Sequence, residues 1–420
     1  MTTSLKNWPS NYTFSTSQIH YPETLEQLQS LVKQSKKVSV FGARHSFSRV
    51  ADSSETLLCL ERMPQVLEID SDQQTVTLNG GMKYRTLTPV LRQAGFAIHN
   101  LASLPHISVA GACTTATHGS GSQNKNLASA VSAIEFVTAE GDITTLSRAQ
   151  DGDTFAGAVV NLGGLGVITK LTLDLMPTFE MRQTLFENMP AAHLDTDFEA
   201  IMGSAYSVSL FTDWRNKTIG QVWLKQRAED SVPTEFYDAT PATEDLHPLP
   251  GWPADGCTKQ MSVPGPWYDR LPHFTNEVWS DVGNELQTEY FVAREHAPAV
   301  ARVLSEMGEL FAPHIYAGEV RTIAADDLWL SMCYQRDSTA FHFTWKPHWP
   351  EVQKILSQIE ERIAPYEARP HWGKLTMMPF SAIQSLYPKL SDFQNLLTKY
   401  DPNGKFRNAY LDAHVFGEDS

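Results

Sequence analysis

The chain reads as an α+β protein in two parts, and three features of the sequence predict this. Up to about residue 175 it offers many short strand candidates with only brief helices between them. After Pro177 the strand candidates lengthen and alternate with strongly amphipathic helical stretches. At 420 residues the chain also exceeds the size that a single core usually serves. Strand pairs alternating with helices predict that the second part is an antiparallel sheet covered by helices.

Taken in order, Thr24 to Gln34 is predicted as a short helix, with Leu25, Leu28, Leu31 and Val32 on one stripe. KKVSVFG follows as a strand in which Val38 and Val40 alternate with Lys37 and Ser39, and ETLLCL, QVLEID and TVTLNGG are further strands. Lys83 to Gln93 reads as a helix ended by Gly95. AIEFVTA and DITTLS form a hairpin around Glu140-Gly141-Asp142. VVNLGGLGVITKLTLDL is a helix end, a glycine corner and a strand. Beyond Pro177, SVSLFTDWR, QVWLKQR, LQTEYFVA, IYAGEVRTI and AFHFTWK are strands. Helical stripes fall at Val300, Val303, Leu304, Met307 and Phe311, and again at Val352, Ile355, Leu356, Ile359 and Ile363. Residues 230–266, rich in Pro, Gly and Asp, predict a long surface excursion.

Composition excludes several functions. A net charge of -15 disfavours a nucleic-acid or anionic-membrane partner, because both need an excess of Lys and Arg. No apolar run reaches the roughly 20 residues a bilayer demands. The opening MTTSLKNWPSNYTF has neither the basic head nor the apolar stretch of a secretion signal. Cys59, Cys113, Cys257 and Cys333 lie far apart with no CxxC pair, which argues against a structural metal and fits reduced thiols in the cytoplasm.

Two small-residue segments carry the chemistry. FGARHSFS follows a buried-looking strand directly, and ASLPHISVAGACTTATHGSGSQN has almost no helix or strand signal. Backbone amides left open by small residues, together with Ser and Thr hydroxyls, suit a pyrophosphate. A nicotinamide fold is disfavoured, since GLGVIT lacks the third glycine and sits in no βαβ unit.

GARHSF, NLASLPHISVAGACTTATHGSG and GGLGVITKLTLDL, in that order and spacing, resemble the PCMH-type FAD-binding domain of the vanillyl-alcohol oxidase superfamily. Within it the chain is most similar to the bacterial alditol (xylitol) oxidase family, through SVSLFTDWR, VPGPWYDRLPHF, GEVRTIAAD, HFTW, RPHWGK and DPNGKFRNAY. The resemblance implies an FAD-binding domain of two subdomains over residues 1–176 and a substrate-binding cap over 177–370. Residues 371–420 then return to the flavin and substrate site. It implies FAD joined through an 8α bond to His45, with contacts from Val40, Phe41, Gly42, Ala43, Arg44, His45, Ser46, Ser103, Ser108, Gly111, Thr115, Ala116, Thr117, His118, Ile168 and His371. Arg44 departs from the pattern, because the related loop commonly has glycine before the histidine. Ala102 is expected near the flavin, where a small side chain leaves molecular oxygen a path.

Strand parity gives an independent view of the substrate end. Residues two apart share a face, so Glu319 and Arg321 sit together in IYAGEVRTI, and His342 and Thr344 in AFHFTWK. From parity alone the favoured reading is an ordinary sheet with a polar outer face. The resemblance turns these pairs, with Ser103 and Lys374, into a polyol pocket. Arg321 and Lys374 are expected to stabilise developing alkoxide, while His342 or a lysine of lowered pKa takes the hydroxyl proton. Glu319, Ser103 and Thr344 would bind the other hydroxyls, and Glu319 would also hold Arg321. The implied protein is a monomeric oxidase that turns a terminal hydroxyl of xylitol, sorbitol or a similar polyol into an aldehyde and reduces O2 to H2O2. An aldonolactone oxidase or dehydrogenase is the nearest rival, and a non-catalytic flavin- or sugar-binding protein a more distant one.

Overall fold

The structure, a computed structural model, describes residues 5–277 and 284–418. The first four residues of the N-terminal stretch discussed above lie outside that range. A five-stranded antiparallel sheet is built from Leu67–Asp70, Thr75–Asn79, Val167–Asp174, Val131–Val137 and Ile143–Ser147, in that spatial order. Beside it Gln18–His20, Thr56–Leu58 and Val38–Val40 form a small parallel sheet. The first helix, Leu25–Gln34, starts where Thr24 accepts from the Gln27 amide, and buries Leu28 and Val32. The expected hairpin turns at Gly141, whose φ of 80° suits glycine.

A nine-stranded sheet dominates the rest. Its core order is Glu180–Pro190, Thr218–Arg227, Ser207–Thr212, Ile315–Ile323, Ser338–Trp345 and Leu286–Ala293, antiparallel throughout. The helices Ala297–Glu306 and Trp349–Ile363 bury the predicted stripes, Val300 and Leu304 in one and Val352, Ile355, Leu356, Ile359 and Ile363 in the other. Phe341, Phe343 and Trp345 point from the sheet into this apolar layer.

Several expectations need correction. The segment expected to lack regular structure holds a short helix, Val109–Thr114, whose small residues give little periodic signal. The sequence offers no sign of the strand Glu180–Pro190 or the helices Phe380–Leu386 and Leu390–Tyr400, and shows only the end of the helix Arg148–Val159. The 230–266 stretch is irregular, but it is not wholly a surface excursion. Thr258 and Gln260 are buried, and Gln183 on the sheet edge donates to the Thr258 hydroxyl at 2.9 Å.

Candidate active site

One cavity lies between the small-residue loops and the polar face of the large sheet. Val40 to Ser46 line it, with Ala102, Ser103, Ser108, Gly111, Thr115, Thr117, His118 and His371. An extension sharing Gly42, Ser108 and Gly111 runs on to Ile168. Ala116 is the exception: it lies fully buried at φ 52° between Thr115 and Thr117 and is absent from the cavity wall.

The loop geometry fits an elongated cofactor. A Cβ on Gly42 would stand 2.1 Å from Ser108 Oγ, so only glycine lets the two small-residue segments close on each other here. Burial, with His106, Arg44 and Lys83 nearby, pushes the His45 imidazole down to about 3. His45 is therefore neutral at pH 7, as a nucleophile must be.

Arg44 occupies a left-handed conformation, φ 61°, which explains physically why glycine suits this position. Its guanidinium donates to the Lys6 carbonyl at 3.0 Å. Arg44→Gly is expected to raise stability by about 0.5–1 kcal/mol, the left-handed cost less the entropy of glycine. Thermal unfolding checks this, and an unchanged or lower Tm would refute the strain argument.

At the other end the cavity meets the sheet's polar face, formed by the pairs the sequence suggested. Glu319 lies opposite His342 in register, and Arg321 and Thr344 sit two residues along on the same face. All four are buried, so this is not an outward-facing sheet surface. Lys374 reaches in from the chain after the sheet, where its Nζ donates to Glu289 Oε2 at 2.6 Å and to His342 Nδ1 at 2.7 Å. An ammonium has no lone pair, so Nδ1 accepts and His342 Nε2 donates to Thr344 Oγ1 at 3.0 Å.

Glu289, on the neighbouring strand, is fully buried at the centre of this network. Arg321 Nη2 donates to its Oε1 at 2.8 Å, and His118 Nε2 lies 3.3 Å from Oε2. Burial alone would push this carboxyl up, but Lys374, His118 and Arg321 together hold it well below the usual carboxylate range. The expected ion pair of Glu319 with Arg321 forms, Oε2 to Nε at 3.5 Å, and Glu289 adds a second, shorter one. Glu319 is held also by His273 Nε2, at 2.9 Å from its Oε1.

Glu289 and His273 escaped the sequence reading. Parity could have found Glu289, since Gln287 and Glu289 alternate in LQTEYFVA as the other polar pairs do. His273 had no such signal: it follows the irregular stretch, and only the folded chain brings it beside Glu319.

The FAD binding domain family matches residues 16–147, and the D-arabinono-1,4-lactone oxidase family matches residues 284–414. An alditol oxidase from a Streptomyces species is 43% identical over 98% of this chain and 99% of its own length. The L-gulonolactone oxidase of Mus musculus is 27% identical over 97% of each chain. Cholesterol oxidase from B. sterolicum shares the fold, with a TM-score of 0.78 at 13% identity over 98% of this chain and 96% of that one. Loops shaped for FAD beside a buried, charged pocket define a flavoprotein oxidoreductase. The chain belongs to the alditol oxidase family.

Proposed function

We propose that the protein oxidises the terminal primary hydroxyl of a small polyol, xylitol or sorbitol, to the aldose, with O2 reduced to H2O2. The observation that carries this reading is a single buried cavity joining the His45 loop to Glu319, Arg321, His342, Thr344 and Lys374. FAD bound there supplies the acceptor for the hydride that leaves the carbinol carbon. Residues 1–176 hold it, residues 177–370 cap the substrate, and residues 371–420 tie the two together. The last segment bonds to both: Phe47 N donates to Gly373 O at 2.7 Å on one side and Leu375 N to Gln287 O at 3.0 Å on the other.

Lys374 spends two of its three N–H groups on Glu289 and His342, which leaves one for the reacting oxygen. Burial first, and Lys374 next, push the His342 imidazole down to about 3, so it is neutral at pH 7 with its Nδ1 lone pair turned to Lys374. The proton-accepting unit is thus the pair. Lys374 takes the hydroxyl proton as it passes one of its own to His342 Nδ1, with the Glu289 carboxylate 3.9 Å away to offset the new charge. Arg321, Glu319, Ser103 and Thr344 bind the remaining oxygens. A pocket this polar rejects deoxy analogues strongly, because each missing hydroxyl leaves a buried group unpaired.

The same reading gives covalent attachment of FAD at His45, a monomer and a cytoplasmic location. The four cysteines are free, and among the described residues no helix is long and apolar enough to cross a membrane. Acid precipitation is expected to leave the yellow colour in the wild-type pellet, and in the supernatant for His45→Ala. Colour in both supernatants would refute the bond.

The test of function is anaerobic mixing with xylitol, then air. Bleaching of the flavin band, followed by its recovery with peroxide, is the expected result. A yellow protein that xylitol and sorbitol leave unbleached would refute the polyol reading. The match of residues 284–414 to a lactone oxidase family favours aldonolactones as the second reading, which the same assay resolves.

A further inference from the structure

Lys225, on the strand Thr218–Arg227, is a lysine buried to 1% exposure, and among the described residues no carboxylate is bonded to it. Burial pulls its amine down to about 7; Nζ hydrogen-bonds the carbonyls of Leu271 and Pro272 and stands 3.0 Å from His273 Nδ1. Burying an ammonium without a carboxylate is costly, and a methionine would fill the same space without that cost. An apolar residue could reproduce neither the two carbonyl bonds nor the contact with His273, and only the last reaches a side chain of the site.

An imidazole that accepts at Nδ1 must carry its proton on Nε2. Here Nε2 faces Glu319 Oε1 at 2.9 Å; that carboxylate can only accept, so it requires the proton on Nε2, and the Lys225 contact at Nδ1 holds the ring in that orientation. The ring is also confined, edge-on to Trp223 at 5.1 Å and to Phe211 at 5.6 Å. Its own backbone N–H donates to the Ser103 carbonyl at 3.1 Å, tying the loop to the cavity wall. With Oε1 held this way, Oε2 is the Glu319 oxygen that remains for a substrate hydroxyl.

We propose that Lys225 and His273 are positioning residues for the substrate. Lys225 anchors the His273 ring, His273 orients Glu319, and Glu319 sets affinity for the polyol hydroxyls beyond the reacting carbon. This rests on the polyol reading above and adds to it the source of that affinity.

The test uses the flavin-loaded protein, with kcat and KM measured on xylitol. Lys225→Met is expected to raise KM about tenfold while kcat changes by less than about threefold, the size expected for one hydrogen bond to a charged group. His273→Leu is expected to match that rise, and supplies the answer if Lys225→Met does not accumulate as yellow protein. His273→Gln retains an N–H for Glu319 whatever residue 225 is, so its KM is expected to rise by less than about threefold, and adding Lys225→Met to it is expected to change nothing further. Equal effects of Lys225→Met in the two backgrounds, or an unchanged KM in His273→Leu, would overturn the proposal. A wild-type protein that no polyol bleaches would instead remove the polyol reading, so the two failures are distinguishable.

Discussion

Replacing Glu289 with glutamine is expected to cost about 3–5 kcal/mol of stability, as breaking a buried ion pair from one side does. The carboxylate answers Arg321 Nη2 at 2.8 Å and Lys374 Nζ at 2.6 Å inside the protein. A glutamine amide must turn its NH2 towards one of these cations, leaving donor against donor and a buried charge uncompensated. Xylitol turnover is expected to fall as well, by about 10²-fold, because Lys374 loses its anchor and small displacements of catalytic groups are costly. Thermal unfolding and steady-state kinetics on one preparation check both parts.

The sign of the pH dependence follows from the same carboxylate. Its folded pKa is lowered from 4.5, so its contribution is complete above that value and is lost as the pH falls through the lower, folded one. The stability gap between wild type and Glu289→Gln is therefore expected to be constant from pH 5 upward and to shrink in more acid solution. A gap that widens on acidification, or a variant as stable as wild type at pH 7, would show that the charge at 289 is not what holds this cluster.

Lys374→Met is the second large effect. Methionine keeps much of the apolar stem but removes the cation and all three donors, so the reacting oxygen loses its hydrogen bond and the proton its route to His342. The rate of anaerobic flavin reduction is expected to fall by about 10²–10⁴-fold. Glu289 keeps Arg321 and His118, so the fold should survive. Retention of a rate within about threefold of wild type would take Lys374 out of the chemistry.

Much of the fold was legible because its long strands and two covering helices are strongly patterned. The helix Trp349–Ile363 buries five apolar residues at helical spacing, and the strand Ser338–Trp345 alternates as a strand should. The helix Val109–Thr114 was not legible, since VAGACT has too few large side chains to show a period. Nor was the strand Glu180–Pro190, in which Gln183 and Thr184 are buried by hydrogen bonds to chain near residues 258–262.

In the sequence, parity joined Glu319 to Arg321 and His342 to Thr344, the small-residue loops marked a phosphate-bearing cofactor, and the family resemblance made that cofactor FAD and those pairs a pocket. Tertiary structure alone decided what else those groups meet. Arg321 answers also to Glu289 on a strand two places away in the sheet, Glu319 is held also by a histidine on a distant loop, and Lys374 enters from beyond the sheet. Local periodicity fixes the face a residue occupies, because that depends only on backbone geometry. Which charge meets which depends on contacts between segments far apart in the chain, and local pattern carries no record of those.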